Sequence, residues 1–119
     1  MVETSKFEPA RDPQDLERFL VLRQRAGDVD GMLALFEADA IIDTGDGRIT
    51  QGHAAIRSMY VDLVATGRKF EFGVQRPALM SGELALTSTS LSDGSVTSEV
   101  ARRQADGTWL WVIDKYSVK

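Results

Sequence analysis

The sequence predicts a single α+β domain in which helices come first and a run of antiparallel strands follows. Three observations carry this. Apolar residues recur at helical spacing as far as Leu63, and the period then drops to two. Two Asp-Gly turns divide the later strands, and helices first with a run of antiparallel strands after them argue for α+β rather than a parallel βαβ fold. The helices must then cover one face of a curved sheet.

Residues 1–11 show no periodicity and are expected to form a loose tail. Asp12-Pro13-Gln14-Asp15 is a helix start, with a capping aspartate, proline in the first turn and an acid near the positive end of the dipole. Leu16, Phe19 and Leu20 follow at helical spacing, and Gly27 is a natural stop. Asp28 caps a second, shorter helix with Met32, Leu35 and Phe36 on its buried side. Residues 40–44 read as a short strand closed by Gly45-Asp46-Gly47. Gly52 precedes a third helix with Ile56, Met59, Tyr60 and Leu63 on one face, ending at Gly67. Phe70, Phe72 and Val74 then alternate with Glu71, Gly73 and Gln75 as a strand that Pro77 ends. Residues 84–91, 95–104 and 108–117 supply three more strands. Their turns, Asp93-Gly94 and Asp106-Gly107, match the type I′ hairpin preference.

A chain of 119 residues is long enough to bury a core without staples. Its 14 basic and 18 acidic residues are scattered and leave a net charge of −4. With no basic block or stripe, a nucleic-acid partner and an anionic membrane surface are both unexpected. Having no cysteine excludes disulfides, thiolate metal sites and cysteine nucleophiles. One histidine without cysteine does not make the usual metal cluster, so no metal and no cofactor are expected. Residues 1–13 lack the apolar run of a signal peptide, and no stretch approaches the ~20 apolar residues of a membrane span. The expectation is a cytoplasmic protein.

Residues 25–36, Arg-Ala-Gly-Asp-Val-Asp-Gly-Met-Leu-Ala-Leu-Phe, resemble the helix-Gly-Asp-helix junction of ketosteroid isomerase and SnoaL-like proteins. Ala38-Asp39-Ala40 leading into a strand continues the likeness. So does Gly52-His53-Ala54-Ala55-Ile56-Arg57 as a third-helix entry. Residues 102–109 followed by Val112-Ile113-Asp114 resemble the closing hairpin. The likeness covers residues 14–117 and lies in the order and spacing of these pieces. It implies the cone-shaped nuclear transport factor 2-like fold, with a deep pocket between helices and concave sheet face, often in a homodimer. It does not imply one activity, because the superfamily holds isomerases, cyclases, dehydratases, epoxide hydrolases and non-catalytic binding modules.

Carried over position by position, the resemblance argues against a true ketosteroid isomerase. The tyrosine position on the first helix falls on Leu20, which cannot donate a hydrogen bond, and the base position falls on Thr44. Asp43 is adjacent but on the opposite strand face, so only one of the two can face the pocket. The third position carries Glu99 and keeps an acid.

A two-residue turn at Asp106-Gly107 makes paired positions sum to 213 and sets Glu99 opposite Asp114. Both carboxyls then share one sheet face, which the resemblance implies is the concave one, beside Leu110, Val112 and Tyr116. Such a pair shares a proton and can act as acid or base near neutrality. The alternative is that Asp114 pairs with an arginine such as Arg103, and a bulge at the turn would place Val112 opposite Glu99 and leave the two acids diagonal neighbours. Leu20, Thr44, Met59, Tyr60, Val112 and Tyr116 are the expected ligand-binding set. His53 reads either as a general base or as an exposed first-turn residue, and Asp43, Asp46 and Arg48 either as a polar-ligand site or as a solvated turn. Trp109, Trp111 and Ile113 are expected together on the outer face, where a second subunit would cover them. The sequence thus points to a small-molecule-binding domain, extending to acid–base chemistry of isomerase, lyase or hydrolase type. The rival reading is a non-catalytic dimerisation or association module with a vestigial pocket.

Overall fold

The computed structural model describes residues 8–118 and contains three helices: α1 (Asp15–Arg25), α2 (Val29–Leu33) and α3 (His53–Ala65). They pack on a sheet built from β1 (Phe36–Asp43), β2 (Ile49–Gln51), β4 (Leu79–Ser81), β5 (Leu84–Thr87), β7 (Ser98–Arg103) and β8 (Trp109–Lys115). The strand order is β2-β1-β8-β7-β5-β4, antiparallel throughout except for the β1–β8 pair. Two short strands, β3 (Val74–Gln75) and β6 (Thr89–Ser90), form a separate ribbon.

The expected Asp12 cap is corrected: α1 begins at Asp15 with Gln14 at its N-cap and no side-chain cap bond, and the Asp12 carboxylate accepts the Gln14 N–H at 2.9 Å in the turn before the helix. Gly27 leaves α1 with a φ of 73° that a side chain would oppose. Asp28 caps α2 through the Gly31 N–H at 3.0 Å. Because α2 lasts only five residues, Phe36 opens β1 rather than closing a helix, and the first strand is longer than the expected 40–44. Leu16, Phe19, Leu20, Met32, Leu35, Phe36, Ile42, Ile56 and Tyr60 form the core with both tryptophans.

Several expectations are corrected. Residues 8–11 are not a loose tail: Ala10 is buried, and its carbonyl accepts the Trp109 N–H at 2.8 Å. The Glu8 carbonyl accepts the buried Arg23 guanidinium at 2.6 Å. Residues 1–7 lie outside the described set. The expected strand over 70–75 shrinks to Val74–Gln75, because Gly73 has a left-handed φ of 61° that an extended run cannot pass through. The expected 84–91 strand splits into β5 and β6, and β4 was not anticipated.

Neither Asp-Gly turn is type I′, which needs positive φ at both central residues; only the glycines, Gly94 and Gly107, have it. Instead Gly107 N–H donates to the Gln104 carbonyl at 2.9 Å, and Gln104 N–H to the Thr108 carbonyl at 2.7 Å. The β7–β8 ladder therefore begins with Arg103 opposite Trp109 and Ala101 opposite Trp111, one step off the predicted register. A bulge restores it: Val112 and Ile113 together span the step opposite Val100, and Glu99 then faces Asp114.

This bulge overturns the expected outer tryptophan face. Trp109 and Trp111 are 4% and 1% exposed and point into the core, where the Trp111 ring lies 5.3 Å from Phe36. Ile113 alone of the three is on the outside. The tryptophans need no second subunit to cover them.

Candidate functional site

The sheet register lays one row of side chains across its inner face: Ile42 on β1, Asp114 on β8, Glu99 on β7 and Thr87 on β5. All four are buried. Helix α1 crosses this row and contributes Glu17 and Leu20. Together with Leu63, Phe70 and Tyr116, Glu17, Leu20, Glu99 and Asp114 line a pocket of about 220 Å³. Its walls are mainly apolar, and its polar interior is dominated by carboxyl groups.

The three acids differ in their support. Glu99 accepts the Thr87 hydroxyl at 2.7 Å. Burial nonetheless pushes its pKa up, partly offset by hydrogen bonds from Thr97 and Thr87. Asp114 is raised well above the ordinary aspartate range, first by burial and then by the charges of Glu99 and Glu17. Glu17, half-buried against the pocket, is raised to about 8 by burial and by Glu99. Tyr60 and Tyr116 are raised as well, and the Tyr116 hydroxyl lies 3.4 Å from that of Tyr60. The arginine alternative for Asp114 fails, because Arg103 grips Glu83 through two bonds of 2.7 Å.

The pocket rim is fastened to α1 by Gln24. Its buried side-chain amide donates to the Arg68 carbonyl at 2.7 Å and accepts the Phe70 N–H at 2.8 Å. Arg25 and Lys69 add bonds between the same two segments, to the Phe70 and Arg25 carbonyls. An amide can satisfy both a stray donor and a stray acceptor of irregular backbone, which explains a glutamine on the core side of a helix.

Of the residues singled out in the sequence, Glu99, Asp114, Leu20 and Tyr116 line this pocket. Tyr60 is fully buried in the core beneath it, and Met59 packs against that core rather than the pocket. Val112 sits at the bulge, half-buried and away from the lining, since the bulge carries it off the inner face. Thr44 does not line the pocket either: its hydroxyl donates to Asp46 at 2.6 Å in the turn after β1. Asp43 also faces elsewhere, paired with Lys115 at 2.8 Å, and the Asp46 carboxylate accepts the Arg48 N–H. The turn satisfies itself. His53 is half-buried, with a ring nitrogen 2.8 Å from the Phe36 carbonyl, and it does not line the pocket. Sequence reasoning missed Glu17 and Phe70. The signal for Glu17 was its place three residues before Leu20 and seven before Gln24, on the helix stripe that faces the sheet.

Three helices on the inner face of a curved, mainly antiparallel sheet define the nuclear transport factor 2-like fold, also described as cystatin-like. Solved structures share this architecture. An NTF2-like protein of unknown function from Pseudomonas putida superposes with a TM-score of 0.63 at 17% identity, over 89% of this chain and 83% of that one. A proposed dehydratase of the NTF2-like family from Streptomyces avermitilis gives 0.66 at 12% identity, over 86% and 90%. A proposed calcium/calmodulin-dependent protein kinase type II association domain from Thiobacillus denitrificans gives 0.66 at 17% identity, over 90% and 93%. No protein-family model matches the sequence, and no curated protein does. Among the described residues, no helix is long and apolar enough to cross a membrane.

Proposed function

We propose that this chain is a small-molecule-binding domain of the SnoaL-like kind, whose pocket carries out acid–base chemistry on a small organic substrate. One observation carries the reading: Glu17, Glu99 and Asp114 converge on a single pocket, and burial raises the pKa of each above the ordinary carboxyl range. A carboxyl group titrating near neutrality both gives and accepts protons at working pH. Glu17, at about 8, supplies such a group from α1, and the Glu99–Asp114 pair, raised by burial, lines the same pocket from the sheet. Elimination of water is one reaction such a set suits, and a proposed dehydratase is among the structural neighbours. True ketosteroid isomerisation is not, because Leu20 brings no donor into the pocket and Thr44 is turned away. A carbon-detected NMR titration of the carboxyl groups tests the reading. A midpoint near 8 for Glu17, with Glu99 and Asp114 raised above their ordinary values and coupled transitions, is expected; three independent, ordinary acidic titrations would refute it.

A second reading, association, is favoured by a different observation. Leu79, Leu86, Val100, Ile113 and Ile41 stand side by side across five strands on the outer sheet face. Leu79, Leu86 and Ile113 are exposed. A continuous apolar row of this kind is suited to a second copy of the chain, so we propose a homodimer formed through this face rather than through the tryptophans. Dimerisation and ligand binding use opposite faces and are compatible.

A further inference from the structure

The chemistry of the pocket also restricts what it can hold, given the small-molecule reading above. Asp114 is 4% exposed, lines the cavity, and receives no hydrogen bond from any described residue. Glu99, 3% exposed, is one step across the ladder and has hydroxyl donors, but no cationic partner among the described residues. Glu17 comes down on the same space from α1. A buried acid without a donor or counter-charge is costly, and a ligand that supplies both relieves that cost. The remaining walls that matter are Leu20, Leu63, Phe70 and Leu91, which are apolar.

We propose that the ligand is a small organic cation, an ammonium group on an apolar body of monocyclic size, with its charge seated among Glu17, Glu99 and Asp114. An ammonium offers donors and no acceptor, which matches a pocket whose deep polar groups are acids. The cavity, about 220 Å³, lies below the roughly 300–1,000 Å³ of drug-sized sites, which limits the body to about one ring. Phe70 presents an aromatic surface suited to a cation. A metal ion fits less well: among the described residues no three acidic or histidine side chains are grouped closely enough to hold one.

Cation binding exchanges charge for charge. The ammonium enters as protons leave the carboxyl cluster, so affinity rises with pH until Glu17, at about 8, is ionised. The other ionisable groups facing the space are Tyr116 at the end of β8 and, at the exposed rim, Arg68, Lys69, Glu71 and Asp93, with Tyr60 on α3 behind Tyr116. Both tyrosines stay neutral throughout this range, and Arg68 acts on Tyr116 rather than on the three acids.

The test compares benzylamine with its neutral isostere benzyl alcohol and with benzoate, by NMR shift mapping and calorimetry on the intact chain. The amine is expected to bind at least ~10-fold more tightly than the alcohol near pH 8. That preference should shrink by up to about 10-fold per pH unit on acidification, with proton release visible as a heat that depends on the buffer. Asp114→Asn and Glu17→Gln should each erode the preference for the amine over the alcohol. If the alcohol or benzoate binds as well as the amine, the cation inference falls and the pocket reading stands. If none of the three perturbs pocket resonances, both fall.

Discussion

Glu99 and Asp114 face each other across the β7–β8 ladder because two residues of β8, Val112 and Ile113, occupy the step opposite the single Val100. Without that bulge, strict alternation from the buried Trp111 would turn Asp114 to the outer face. The bulge therefore turns a plain hairpin into the wall of an acidic pocket. It also lets Trp109, Trp111 and Asp114 all face inward from one strand.

Charge coupling across this pair makes Glu99→Gln informative. Removing the Glu99 charge lifts a repulsion that acts on both Glu17 and Asp114. Both should titrate at lower pH in the variant, Glu17 falling from about 8 yet staying above 4.5 because burial, the larger cause, persists. Thr87→Val should do the opposite to Glu99, raising it further by deleting a donor to its carboxylate. Carboxyl-detected NMR reads both; unchanged midpoints would mean that the groups are not coupled.

Stability should fall as pH rises through the range between the ordinary Glu value of 4.5 and about 8. In this window the folded protein keeps the Glu17 proton that the unfolded chain has lost, so deprotonation favours unfolding. The loss is on the order of a few kcal/mol from Glu17, with Asp114 and Glu99 acting in the same direction. Exposed acids with lowered values, such as Asp43, Glu83 and Asp106, act only below that window, where acidification removes their contribution. Thermal unfolding near pH 5 and pH 8 checks the sign, and Glu17→Gln should flatten the slope.

Gln24→Leu should loosen the pocket rim. The variant keeps the side chain's bulk but leaves the Phe70 N–H and the Arg68 carbonyl without their partner. A cost of about 1–3 kcal/mol is expected, together with faster hydrogen exchange at the Phe70 amide. Exchange at Phe70 as slow as in the parent would show that the rim is held by other bonds.

Leu86→Glu places a charge in the middle of the outer apolar row. The parent should sediment as a dimer at micromolar concentration and the variant as a monomer with its helical circular dichroism intact. A monomeric parent would remove the association reading.

On a Δ5-3-ketosteroid the protein should give no more than a trace rate. A missing oxyanion donor alone costs roughly 100- to 1,000-fold, and here the base position is displaced as well.

Local chemistry in the sequence determined a great deal. Asp28, Gly27 and Gly52 mark helix ends by capping or by backbone freedom, Asp12 marks the turn that leads into α1, and each mark depends only on near neighbours. The broad order of helices and later strands was legible for the same reason, and the resemblance of the junction and closing hairpin supplied the particular fold. The opposition of Glu99 and Asp114 was also readable, although by a turn type that the chain does not use: the glycine bulge at Gly107 subtracts one step and the Val112–Ile113 bulge adds it back. What only the tertiary structure decided was which way each strand face points. Trp109, Trp111 and Ile113 share a period of two in the sequence, yet the tryptophans enter the core and Ile113 leaves it. Glu17 could be placed on a stripe of α1, but its meeting with two acids 82 and 97 residues further along the chain required the helix to cross the sheet over one row. A bulge and a helix crossing are set by long-range packing, which local spacing does not encode.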